Sequence, residues 1–83
     1  MQRQTINDAL KDFQKIYEAL PLAEGILYYG ERNALNQRDG TGAQVWPDGS
    51  VYIGQWFRNR ATGIGKMLHG DSGDIYEGNW LND

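Results

Sequence analysis

PDGSVYIGQW at residues 47–56 and DSGDIYEGNW at residues 71–80 decide how this chain is read. Each joins a turn rich in Asp, Gly and Ser to an alternating run that ends in tryptophan, as a strand leaving a tight turn does. Tyr52-Ile53-Gly54-Gln55-Trp56 matches Tyr76-Glu77-Gly78-Asn79-Trp80 at an offset of 24 residues, and Gly40-Thr41-Gly42 matches Gly63-Ile64-Gly65 at 23. Self-similarity at a fixed short period marks a repeat architecture. One unit reads G-x-G, four or five strand residues, a turn, then Y-x-G-x-W, which makes a β-hairpin.

Upstream, Tyr29 stands 11 residues before Gly40, as Tyr52 stands 11 before Gly63. This spacing predicts a degenerate leading unit over about 25–39, with Glu31 in the glycine's place and Asn33 in the tryptophan's. Strand alternation puts Tyr52, Gly54 and Trp56 on one face, with Val51, Ile53, Gln55 and Phe57 on the other. Tyr76, Gly78 and Trp80 share the first face in the next unit. Stacked hairpins in register are expected to bring Tyr beside Tyr and Trp beside Trp. The glycines, which cost about 0.5–1 kcal/mol each in mid-strand, then leave a shallow channel. Neighbouring rings fill that channel, or a helix or peptide from outside enters it.

No glycine precedes residue 25, and all 11 lie between Gly25 and Gly78. The glycine-free part carries a helical pattern. Ile6, Ala9, Leu10, Phe13, Ile16, Tyr17 and Leu20 form one apolar stripe. Thr5 followed by Asp8 forms a capping box, and Pro21 ends the pattern, predicting a helix at about 5–20. Its face of Ile6, Leu10, Phe13 and Tyr17 is expected to cover the aromatic face of the sheet, within the chain or swapped onto a second one. A terminal strand at Trp80-Leu81 leaves an open edge, a further route to pairing between chains.

Y-x-G-x-W followed by Asn59 and then G-x-G resembles the MORN (membrane occupation and recognition nexus) repeat. Tyr52, Gly54, Trp56, Asn59, Gly63 and Gly65 fill one unit's motif positions, and Tyr76, Gly78 and Trp80 open the next. The resemblance covers residues 40–83, with 25–39 as a weak leading unit. The N-terminal helix stands outside the motif. The resemblance implies scaffolding or membrane-proximal assembly, by binding rather than by catalysis.

Charge and composition narrow the classes further. The 83 residues suit one small domain. Three basic residues meet four acidic ones before Gly25, and five meet seven from there on, for a net charge of −3. No basic excess exists to hold a nucleic acid, and acidic phospholipid is disfavoured as well. The absence of cysteine removes disulfides and thiolate metal sites. No apolar run approaches the roughly 20 residues that span a bilayer, and no signal-peptide pattern opens the chain, so a cytoplasmic location is expected. Gly63-Ile64-Gly65-Lys66 lacks the first glycine and the Ser/Thr of a phosphate loop. Gly40-Thr41-Gly42 lacks the third glycine of a dinucleotide fingerprint. His69, the only histidine, reads as a solvated hairpin residue, and Asp71-Ser72-Gly73-Asp74 as a solvated turn.

The expectation is a mainly β (α+β) domain: antiparallel hairpin repeats forming a single twisted sheet, with the amphipathic helix packed on it. It is expected to be no enzyme and to need no cofactor or metal. The expected site is an aromatic groove of Tyr52, Gly54, Trp56, Tyr76, Gly78 and Trp80. The partner is a protein or a second copy of the chain, with a peripheral phospholipid-binding module as the alternative.

Overall fold

Thr5 caps a helix, α1, over Ile6–Ile16. Its Oγ1 accepts from Asp8 N at 3.1 Å, and Asp8 Oδ2 accepts from Thr5 N at 3.5 Å, the reciprocal bonds of a capping box. This computed structural model describes residues 5–80, so Leu81 lies outside the described residues. The helix stops about four residues short of the expected end at 20. Tyr17 takes an extended conformation at its C-cap. Leu20–Pro21 instead forms a short strand, β1, whose geometry suits a residue preceding proline. Leu20 is no part of the helical stripe; it packs against the cluster of Tyr28, Tyr52, Trp56 and Ala61 on the far side of the sheet.

Five longer strands follow: β2 at Leu27–Arg32, β3 at Arg38–Val45, β4 at Val51–Phe57, β5 at Arg60–Leu68 and β6 at Ile75–Trp80. All neighbours are antiparallel and the order is β1-β2-β3-β4-β5-β6, a meander in one open sheet. The local chemistry sets the turns. Asp48 Oδ1 accepts from Ser50 N at 2.8 Å between β3 and β4. Between β4 and β5, Arg58 and Asn59 both have positive φ (48° and 71°), the two-residue turn that matches strand twist.

The two faces carry separate cores. On one, Ile6 and Leu10 of α1 are buried with Ala43 and Val51, and Phe13, Tyr29, Val45, Ile53 and Leu68 pack around them. On the other, Tyr28, Tyr52, Trp56 and Ala61 are buried, with Leu20, Leu22, Trp46, Met67 and Trp80 against them. The helix therefore docks within its own chain, on the face opposite the aromatic one where the stripe was expected to lie. The reason is size. Aliphatic Val51 and Ile53 leave room for Leu10, whereas the aromatic face is already filled by its own rings.

Candidate functional site

Each strand from β2 to β6 contributes one glycine to a row across the sheet. Gly30 faces Gly42, Gly42 faces Gly54, Gly54 faces Gly65, and Gly65 faces Gly78. Tyrosine rings lie along this row. The Tyr52 ring crosses Gly54 and Gly65 and its hydroxyl donates to Gln55 O at 3.2 Å; the Tyr28 hydroxyl donates to Glu31 O at 2.7 Å. A Cβ on Gly65 would meet Tyr52 Cζ at 2.5 Å, and one on Gly42 would meet Tyr28 Cε1 at 2.5 Å. The expected channel is therefore occupied by the chain's own tyrosines, and the mid-strand glycine is the floor on which a ring rests.

The same geometry corrects the leading unit. Tyr28, not Tyr29, holds the tyrosine position, Gly30 the glycine position and Arg32 the tryptophan position. Tyr29 points to the helix side. A shift of one residue moves every side chain to the other face, and counting back to Gly40 missed it because the loop after β2 is not the loop after β4. Glu31 falls at the position of Gln55 in the next unit. In both units the strand pairing slips there, across a bulge whose first glycine is left-handed, Gly40 at φ 98° and Gly63 at φ 65°. The side chain opposite satisfies the exposed amide: Glu31 Oε1 accepts from Thr41 N at 2.7 Å and Gln55 Oε1 from Ile64 N at 2.9 Å. Thus the two glycines of G-x-G have different tasks, the first turning the bulge and the second flooring the ring.

Tyr and Trp alternate, contrary to the expected rows of like rings. Tyr28, Trp56, Tyr52, Trp80 and Tyr76 form one chain of edge-to-face contacts, with centroids 5.5, 5.2, 5.3 and 5.1 Å apart. Trp56 Nε1 donates to Gly42 O at 3.2 Å, whereas Trp80 Nε1 is buried with no acceptor among the described residues. The expected groove divides. Tyr52 and Trp56 are buried, with Gly54 roofed by a ring, while Tyr76, Gly78 and Trp80 stand at the outer strand. Tyr28 and Tyr52 are 1% and 2% exposed; Tyr76 is 51% exposed. Of the helix-face residues, Ile6 and Leu10 are buried and Phe13 packs beside them, on the aliphatic face and not on the aromatic face they were expected to cover. Tyr17 belongs to the cap and stacks on Phe13 at 6.2 Å.

A cavity of ≈ 240 Å³ opens over the closed part of the aromatic face, its lining including polar Arg38, Gln44 and Asn59 and apolar Trp46, Met67 and Trp80. Arg38 arches over the Trp56 ring, 4.8 Å from its centroid. Its guanidinium donates to Gln44 Oε1, to Asn59 Oδ1 at 3.3 Å and to Asn59 O at 2.9 Å. Burial pushes the Arg38 pKa down, opposed by Tyr28, and burial pushes the Tyr28 and Tyr52 phenols up. The sequence reading passed over Arg38, Gln44 and Trp46. A signal existed for the first: Arg38 stands where the next unit has Ala61, so a long cation replaces a small residue at an equivalent repeat position. A second groove, ≈ 220 Å³, runs on the helix side between Ile6 and Ala9 of α1 and Ile53, Ile64 and the Lys66–Glu77 ion pair, whose atoms are 3.2 Å apart.

A meander of hairpins in which a tyrosine and two kinds of glycine recur in register defines a β-hairpin repeat module. The sequence model of the MORN repeat family matches residues 35–51 and 52–73. These two segments are MORN repeats. No curated protein matches it. MORN repeats are associated with protein or membrane interactions and are typically non-catalytic. Among the described residues no helix is long and apolar enough to cross a membrane.

Proposed function

We propose that this chain is a non-catalytic protein-interaction or scaffolding module that binds a partner strand along β6, using the part of the aromatic face that stays open. One observation carries the reading. Tyr76 repeats Tyr28 and Tyr52 in sequence and in ring contacts, yet among the described residues no glycine strand lies on its outer side as β3 and β5 lie beside the other two. A Cβ on Gly78 would find Tyr76 Oη at 3.1 Å and no second strand, whereas one on Gly54 would meet Gly65 Cα at 2.5 Å. The other sheet edge is blunted: β1 is two residues long and contains Pro21, which cannot donate to a ladder. β6 offers six residues with no proline.

The partner suited to this edge is an extended segment with glycine opposite Gly78, adding to the sheet through main-chain bonds. A peptide copying residues 60–68 of this chain, RATGIGKML, has the required G-x-G. It contains no tryptophan, so the intrinsic fluorescence of the protein, which has Trp80 on β6, reports its binding. The expected result is saturable binding, weakened in the Tyr76→Ala variant. Equal binding by a peptide with valine at the second glycine overturns the reading, because a side chain there would collide with the Tyr76 ring. The phospholipid alternative has less support, since neither part of the chain carries excess positive charge.

A further inference from the structure

The cavity over Trp56 holds an arginine whose charge meets no carboxylate among the described residues. All three polar partners of the Arg38 guanidinium are neutral amide oxygens, from Gln44 and Asn59. The Lys66–Glu77 ion pair lies on the opposite face, and among the described residues no carboxylate is seen paired with Arg38. A guanidinium has five N–H donors; these bonds leave one N–H on each terminal nitrogen unengaged. Asn59 Nδ2 donates to nothing among the described residues, and Asn59 lines the same cavity. The amides of Gln44 and Asn59 and the Trp56 face hold the fork in place, so little side-chain freedom remains to be lost when an anion arrives. Trp46, Tyr52, Ala61, Met67 and Trp80 supply the rest of the lining, and none of them is a charged residue type at neutral pH.

We infer that this cavity is a binding site for a carboxylate carried on an apolar body, the carboxylate taking the free N–H groups of Arg38 and Asn59 while the body lies against Trp46, Met67 and Trp80. A planar carboxylate matches the fork of a guanidinium, and the half-buried setting strengthens the attraction relative to open water. A ligand with no charge would leave Arg38 as uncompensated as before. One with no apolar part would leave the indole and thioether walls wet. The chemistry is shared by a small aromatic acid and by the C-terminal carboxylate of a peptide ending in an apolar residue. The site shares Trp80 with β6 but uses none of that strand's open main-chain edge, and so goes beyond the strand-binding reading.

The chain has three tryptophans, Trp46, Trp56 and Trp80, and all of them line this cavity, so intrinsic fluorescence is a direct readout. The full chain is titrated with 3-phenylpropionate and with acetyl-Gly-Gly-Phe, each beside its amide. At least one acid should give a saturable change about tenfold tighter than its amide, the factor expected from one charge-assisted contact. Binding by both acids assigns small aromatic acids as sufficient; binding by the peptide alone assigns a peptide terminus. In Arg38→Gln the acid and amide should become equal. If that variant fails to fold by circular dichroism, Arg38→Lys keeps the charge without the fork and should retain only part of the preference. The inference is overturned if acid and amide bind alike in the unaltered protein, or if neither acid saturates by about 10 mM, the weak end of specific binding. Strand binding at β6 is read separately by the glycine peptide with its C-terminus amidated, which offers the cavity no carboxylate, so either result can fail without the other.

Discussion

The ring of Tyr52 lies on Gly65 of the neighbouring strand, so close that a Cβ there would stand 2.5 Å from Tyr52 Cζ. Gly65→Ala must push the ring off the row and with it the contacts to Trp56 and Trp80. Overpacking of this kind costs about 1–3 kcal/mol or more. Gly73, in the turn after β5, supplies the comparison: a Cβ there meets nothing within 4 Å, but φ is 76°. Gly73→Ala should therefore cost only about 1 kcal/mol, from backbone conformation alone. Urea midpoints of the two variants test the order; equal losses would mean that the ring does not rest on Gly65.

Gln55 and Glu31 perform one task in successive units, accepting the amide that each bulge exposes. Carboxylate and carboxamide oxygens serve equally there, so Gln55→Glu should change stability little. Gln55→Ala removes the acceptor from Ile64 N. The site is exposed and water can replace part of the bond, so the expected loss is about 0.5–1.5 kcal/mol. A loss for Gln55→Glu as large as for Gln55→Ala would show that side-chain packing, not the hydrogen bond, matters.

The repeat was legible because Tyr52, Gly54, Trp56 and the G-x-G pairs recur at fixed spacing, and that spacing is enough to predict hairpins in one sheet. The capping box at Thr5 and Asp8 was legible for the same local reason. What the sequence did not reveal depends on relations between strands. Tyr28 and Tyr29 are adjacent tyrosines, and only the pairing of Gly30 with Gly42 tells which one faces the rings. The face covered by the helix was hidden because both faces of β4 are apolar, and the choice rests on how the tyrosines fill the glycine row. Arg38 was hidden because its role comes from Gln44, Trp56 and Asn59, three residues on different strands and turns.

Helix docking can be probed at two positions of the same stripe. Leu10 is buried between α1 and the aliphatic face, whereas Ile16 is 73% exposed. Leu10→Ala should cost about 2–4 kcal/mol, a large share of the stability of a domain this small. Ile16→Ala should stay within roughly 0.5 kcal/mol of the parent. Thermal or urea unfolding distinguishes them. Comparable losses at both positions would indicate that the helix buries its whole stripe, as it would against a second chain.

Stability should fall at both extremes of pH, for separate reasons. Asp48 accepts from Ser50 N and the Ser50 side chain, and these bonds hold its carboxyl below the usual range. A folded pKa below the unfolded one means that the stabilisation is complete above about pH 4, the ordinary value, and is lost as pH falls through the folded pKa. Asp48→Asn keeps an oxygen acceptor but cannot titrate there, so its urea midpoint should depend less on pH below about 4. Tyr28 and Tyr52 are shifted upward, chiefly by burial. For them the neutral phenol is favoured in the fold: their contribution is complete below about pH 10 and is lost as pH rises beyond it. Tyr28→Phe should weaken the neutral-pH fold slightly, by losing the bond to Glu31 O, and should flatten the decline above about pH 10. An unchanged alkaline slope would mean that the Tyr28 phenol titrates alike in the folded and unfolded chain, against the upward shift that burial gives it.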